Sequence, residues 1–175
     1  CEIKWQISKI NLGCKKGVTN AINWLDGIDG LTAVYVSIIL SSLFIISFSK
    51  GLFLSAFIIL IIIFALLGFY KFNKFPAKII MGDGGAYFLG FILSTFTIFL
   101  SSYKDQSYSI LIPITLLLVP IADMTFVIIR RLINSKSIFL PDRSHLHHRL
   151  KSKGFNNNNI LNLIVFLVCI TSLIG

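Results

Sequence analysis

Hydrophobic positions along the chain fall into long unbroken runs. Residues 31–49 read LTAVYVSIILSSLFIISFS. As a helix this run measures ~28 Å at about 1.5 Å per residue, enough to cross a hydrocarbon core. A second run, 51–70, follows with only Lys50 between, so the pair predicts a tight hairpin. Further runs cover 85–101, 108–129 and 160–175. None shows period-2 alternation, which argues for helices and against barrel strands. The predicted fold class is all-α: a polytopic transmembrane helix bundle with about five spans at those positions, forming a single membrane domain. Pro113 and Pro120 each remove a backbone donor from the fourth run and predict a kink there. Asp123 lies in the same run, about two turns from its basic end, and is expected to face the protein interior.

Three polar segments, 1–30, 71–84 and 130–159, precede or separate these runs with an even number of runs between each, so they share one side. The first is mixed and basic up to about residue 19, with no run long enough to span, and reads as an amphipathic surface piece. Together the three hold 14 of the 16 Lys and Arg; Lys50 and Lys104 occupy the opposite loops. The positive-inside rule places the three basic segments in the cytoplasm. They also carry every polar motif of the chain, so the motifs are expected to meet at one site on the cytoplasmic face of the cytoplasmic (inner) membrane.

Composition agrees with this picture. Of 175 residues, 55% are hydrophobic and 13% charged, and the mean hydropathy is +0.85. An ordinary soluble domain is excluded. The net charge of +9 fits a basic membrane face or anionic substrates, not nucleic acid. Cys1, Cys14 and Cys169 form no CxxC pair and indicate neither a disulfide framework nor a zinc site. A chain that opens on Cys1 and ends within an apolar run reads as a piece of a longer protein.

Residues 78–90 read KIIMGDGGAYFLG and place Asp83 among glycines at the mouth of an apolar run. A carboxylate there is costly unless it binds something. Gly82, Gly84 and Gly85 let a phosphate or metal approach the backbone, so Asp83 is read as a metal ligand. Residues 20–31, NAINWLDGIDGL, repeat Asn20, Asn23, Asp26 and Asp29 at intervals of three. On a helix that spacing sets Asn20 beside Asn23 and Asp26 beside Asp29. Gly27 and Gly30 open the backbone; a helix cap followed by a turn is the plainer reading. Two Asp-Gly pairs and two Asn before a span favour a functional role.

Residues 141–150, PDRSHLHHRL, hold all three histidines, His145, His147 and His148, flanked by Arg143 and Arg149. Zinc binding, phosphate binding, acid–base work and a solvated basic loop are all open to such a segment. With Asp83, Asp26 and Asp29 on the same face, phosphate chemistry is favoured. Mg²⁺ is the expected cofactor, because it needs only one or two protein carboxylates beside substrate phosphates. Phosphoryl transfer is mostly positioning and charge neutralisation. Such a site could join a soluble nucleotide donor to a lipid acceptor.

NAINWLDGIDGL, PAKIIMGDGGAYFLG and PDRSHLHHRL, in this order and on this topology, resemble the polyprenyl-phosphate N-acetylhexosamine-1-phosphate transferases. These are the MraY/WecA-like membrane enzymes of the glycosyltransferase 4 family, which serve cell-envelope polysaccharide synthesis. The resemblance covers about residues 17–175. It implies transfer of an N-acetylhexosamine 1-phosphate from a UDP-sugar to undecaprenyl (polyprenyl) phosphate, with release of UMP. It implies that Asp83 binds Mg²⁺ and that Asn20, Asn23, Gly27, Asp26 and Asp29 line the nucleotide pocket. It further implies that His145, His147 and His148 meet the sugar or diphosphate, with Arg143 assisting. The histidine motif resembles the branch that uses UDP-N-acetylhexosamines more than the pentapeptide branch. Polyprenyl phosphate, the UDP-sugar and membrane lipid are the implied partners; a homodimer stays open. The family also carries an aspartate-rich motif on an earlier loop. This chain has no adjacent Asp pair, and Ala86 stands where the family usually has Ser. A truncated, catalytically inactive homologue or partner subunit that keeps the fold is the alternative, and a small transporter ranks below it.

Overall fold

The computed structural model describes residues 2–101, 111–134 and 145–174, without the side chains of 2–12, 14, 111–113, 148, 173 and 174. Among the described residues the helices are α1 (Glu2–Leu25), α2 (Leu31–Ser49), α3 (Phe53–Asn73), α4 (Gly82–Ser101), α5 (Leu111–Leu116), α6 (Leu118–Ile133), α7 (Leu146–Ser152) and α8 (Asn157–Ile174). By length and hydropathy α2, α3 and α4 can each cross a membrane, and α8 contains a shorter apolar helix. The chain is an all-α, multi-pass membrane protein.

α1 corrects the expectation that residues 1–30 form a loop. Val18, Ala21, Ile22 and Leu25 are buried, and their spacing draws one apolar stripe along a helix. Lysines and asparagines interleave with that stripe, so no unbroken run announces it. α4 lies against it. A Cβ on Gly90 would stand 2.7 Å from Thr19 Cα and 3.4 Å from Ile22 Cβ, so the missing side chain lets the two helices approach closely. Lys15 Nζ lies 5.3 Å from the centre of the Phe91 ring at the same contact.

α2 and α3 form the predicted hairpin, turning through Gly51 at φ 70°. α3 exposes Phe53, Leu54, Phe57, Ile61 and Phe64, an apolar surface suited to lipid. α2 is better covered, with Tyr35, Ile39 and Leu43 in the core. The hydroxyls of Ser37, Ser41 and Ser47 donate to carbonyls four residues earlier, which keeps them satisfied away from water.

The fourth apolar run is divided, not merely kinked. α5 stops at Leu116 and α6 begins at Leu118. Pro120 has no N–H to offer the carbonyl four residues before it, that of Leu116. Tyr35 Oη donates to that oxygen instead, over 3.2 Å. The expected loop 130–159 is shorter on both sides: α6 continues through Arg130 and Arg131, α7 occupies 146–152, and α8 begins at Asn157.

Candidate active site

The site is built around the turn that ends α1. The N–H of Asp26 donates to Asn23 O at 3.2 Å and that of Gly27 to Leu25 O at 2.8 Å. Asp26 and Asp29 therefore do not share a helical face, as their spacing predicts; the Asp-Gly pairs break the helix first. Gly30 has φ 78°, and a Cβ there would stand 2.8 Å from Tyr70 Cε2. Its N–H donates to Asn73 Oδ1 at 3.0 Å, and Asn73 Nδ2 donates to Ile79 O at 2.9 Å. The N–H of Ala77 donates to Asp29 Oδ2 at 3.0 Å. These bonds fasten the end of α3 and the following loop to the turn.

That loop delivers Asp83. α4 starts at Gly82, so Asp83 lies in its first turn and not in a loop as expected. A carboxylate is favoured there by the partial positive charge of the helix start. Asn23 Nδ2 donates to Asp83 Oδ1 at 3.0 Å. Asn20, one turn earlier on α1, is exposed.

Three carboxylates thus share a small space. Burial pushes the Asp26 carboxyl above its ordinary value, and the charges of Asp83 and Asp29 push it the same way, while the Thr32 hydroxyl opposes them. A divalent cation would relieve that repulsion, and oxygen donors of this kind suit Mg²⁺. Among the described residues no three His, Cys, Asp or Glu side chains gather as a metal-binding group. This is no obstacle for an ion that takes one or two protein carboxylates and completes its shell with water and phosphate.

His145 and His147 are buried. Their rings stack at 6.0 Å with 6° between planes, and Trp24 tilts against His145 at 5.3 Å. The His147 ring stands directly over Gly27: a Cβ on Gly27 would collide with Nε2 and lie 2.6 Å from Cε1. The histidine helix and the Asp-Gly turn therefore meet at a position that only glycine permits. Arg149, on α7, is exposed. The side chain of His148, and Arg143 entirely, lie outside the described residues.

Two further polar residues organise the site without having been read as part of it. Asn73 holds the turn against the loop, and Asp123 faces α7. Asp123 Oδ2 lies 3.0 Å from His145 Nδ1, and its Oδ1 accepts from the N–H of Leu146 at 2.7 Å. Its position inside an apolar run was the available signal. Asn73, beside two lysines at the end of an apolar helix, gave none.

The family model described as glycosyl transferase family 4 matches residues 5–101, which contain most of α1, the turn and Asp83. The chain belongs to this family. Relatives of this chain extend the likeness through the histidine segment. A Bacillus subtilis (strain 168) protein named "Probable undecaprenyl-phosphate N-acetylglucosaminyl 1-phosphate transferase" is 41% identical over 99% of this chain and 49% of its own length. The decaprenyl-phosphate N-acetylglucosaminephosphotransferase of Mycobacterium leprae (strain TN) is 30% identical over 93% of this chain and 46% of its own. A phospho-N-acetylmuramoyl-pentapeptide-transferase of Clostridium beijerinckii is 32% identical over 90% and 47%. The chain spans about half the length of the curated relatives it matches.

Proposed function

We propose that this chain carries the donor-side machinery for moving N-acetylglucosamine 1-phosphate from a UDP-sugar to a polyprenyl phosphate. In the net reaction an oxygen of the lipid phosphate bonds to the sugar-linked phosphorus. The bond from that phosphorus to the bridging oxygen breaks, and UMP leaves with that oxygen. The observation that carries the reading is the hydrogen bond from Asn23 to Asp83, made beside Asp26, Asp29 and the stacked histidines. It joins two of the sequence motifs, the His147 ring over Gly27 brings the third beside them, and the names of the relatives supply the substrate classes.

Asp83 would hold Mg²⁺, with Asp26 and Asp29 adding negative charge around it. Bound there, the ion supplies charge neutralisation at the diphosphate. Asn20, Asn23 and Gly27 line the space for the nucleotide, and Asn23 keeps the Asp83 carboxylate turned toward it. His145 and His147, with His148 and Arg143 from the same segment, offer donors to phosphate oxygens or to the sugar. The basic segments support a site on the cytoplasmic face of the cytoplasmic membrane, where a nucleotide sugar would be soluble and the acceptor embedded.

The test is UMP release by the detergent-purified chain supplied with Mg²⁺, undecaprenyl phosphate and UDP-N-acetylglucosamine. Release that requires Mg²⁺ and is lost in Asp83→Ala supports the reading. Release unchanged in Asp83→Ala overturns it. UDP-sugar binding without any release assigns the chain a non-catalytic role in the same fold.

A further inference from the structure

α7 is a seven-residue helix, too short to persist by its own hydrogen bonds. His145 occupies its N-cap position but makes no side-chain capping bond. The cap comes from α6. Asp123 Oδ1 accepts the N–H of Leu146, the first residue of α7, at 2.7 Å. The other oxygen, Oδ2, lies 3.0 Å from His145 Nδ1, with both side chains 9% exposed. An ionised carboxylate only accepts hydrogen bonds, so beside one Nδ1 would be the donor. One carboxylate thus fixes where α7 begins and how the imidazole at its start is turned. The consequence passes onward: His145 stacks on His147, and His147 stands over Gly27.

We propose that Asp123 is a positioning residue of the transfer site. It holds His145 with Nδ1 protonated and directed to the carboxylate, so that the ring meets substrate through Nε2. Carboxylate partners of metal-bound histidines commonly contribute 10–100-fold, and a carboxylate that sets the tautomer of a general-base histidine can contribute up to about 10⁴-fold. The role in turnover rests on the reaction proposed above; the role in setting the ring does not.

Asp123→Asn separates the two functions of the carboxylate. The amide oxygen still accepts from Leu146, so the start of α7 is kept. The amide nitrogen now donates to His145 Nδ1, which must become an acceptor, and the ring proton moves to Nε2. The experiment is ¹⁵N-histidine NMR of the whole chain in detergent micelles, with His145→Gln assigning the signal. The wild-type ring is expected to carry its proton on Nδ1 and the Asp123→Asn ring on Nε2. In the UMP-release assay the same variant is expected to lower kcat by roughly 10–100-fold, with KM for the UDP-sugar nearly unchanged. Asp123→Glu should restore part of the loss. An unchanged tautomer overturns the proposal, as does an unchanged kcat in an active chain. A wild-type chain that binds UDP-sugar but releases no UMP defeats the reaction reading alone, and the tautomer comparison then decides the proposal.

Discussion

Asn23 and Asp83, sixty positions apart in the chain, are joined by a hydrogen bond of 3.0 Å from Nδ2 to Oδ1. The bond ties the last turn of α1 to the first turn of α4. It leaves Asp83 Oδ2 outside this contact and fixes the plane of the carboxylate. A partner that orients a metal-binding carboxylate commonly contributes 10–100-fold in metal affinity. Asn23→Ala is therefore expected to raise the Mg²⁺ concentration for half-maximal UMP release by roughly tenfold or more. Magnesium titrations of the wild type and variant check this; coincident curves would remove Asn23 from the metal site.

Gly27→Ala tests the meeting of the Asp-Gly turn with α7. Its methyl group would occupy the place of the His147 imidazole. His147 is buried, so the ring cannot swing into water without moving α7. Misplacing a catalytic group by about 1 Å can cost 10²-fold, and a loss of that order in kcat is expected with helical content preserved. Circular dichroism and UMP release measured on one preparation check both halves. Full activity in Gly27→Ala would mean that His147 has no role in transfer.

Asp26 offers a test in which stability and activity move in opposite directions. Burial, with the charges of Asp83 and Asp29, raises its pKa above the ordinary 3.8. The folded chain therefore binds this proton more tightly than the unfolded chain. Folding stability falls as pH rises through the window from 3.8 up to the raised folded value, and the full penalty persists above it. Asp26→Asn removes the charge. At neutral pH the variant should unfold at a higher temperature than the wild type in metal-free buffer, and the gap should shrink as the pH is lowered toward 3.8. Its transfer rate should fall. Thermal unfolding followed across pH checks the sign; a variant less stable at neutral pH contradicts it.

Much of this was legible in the sequence, for identifiable reasons. Runs such as 31–49 announce helices because hydrocarbon forces every backbone group to pair within the segment. Asp83 stood out because a carboxylate among glycines beside such a run needs a purpose. α1 did not stand out: its buried stripe of Val18, Ala21, Ile22 and Leu25 is spread among polar residues. The three-residue spacing of Asp26 and Asp29 suggested a helix, but two glycines in five positions decided for a turn. Asn73 was hidden, and Asp123 stood out in its apolar run without showing what it holds, because their partners, Gly30 and His145, are distant in sequence. Side-chain hydrogen bonds to remote backbone leave no periodicity to read.

The division of the fourth apolar run gives the last test. Pro120 denies Leu116 O its helical partner, and Tyr35 Oη supplies another at 3.2 Å. Tyr35 is fully buried, so in Tyr35→Phe the carbonyl would be left unpaired in an apolar setting. Such a loss costs about 1–3 kcal/mol, read as a lower unfolding temperature. Pro120→Ala restores an N–H in the place where the helix needs one. In that background the carbonyl can be satisfied within the helix, and Tyr35→Phe should cost much less. The double-mutant cycle isolates the coupling between the hydroxyl and the proline. Because α6 carries Asp123, a straightened α5–α6 should also disturb His145, and Pro120→Ala is expected to gain stability while losing UMP release. Equal costs of Tyr35→Phe in both backgrounds would show that the break at Leu117 has another cause.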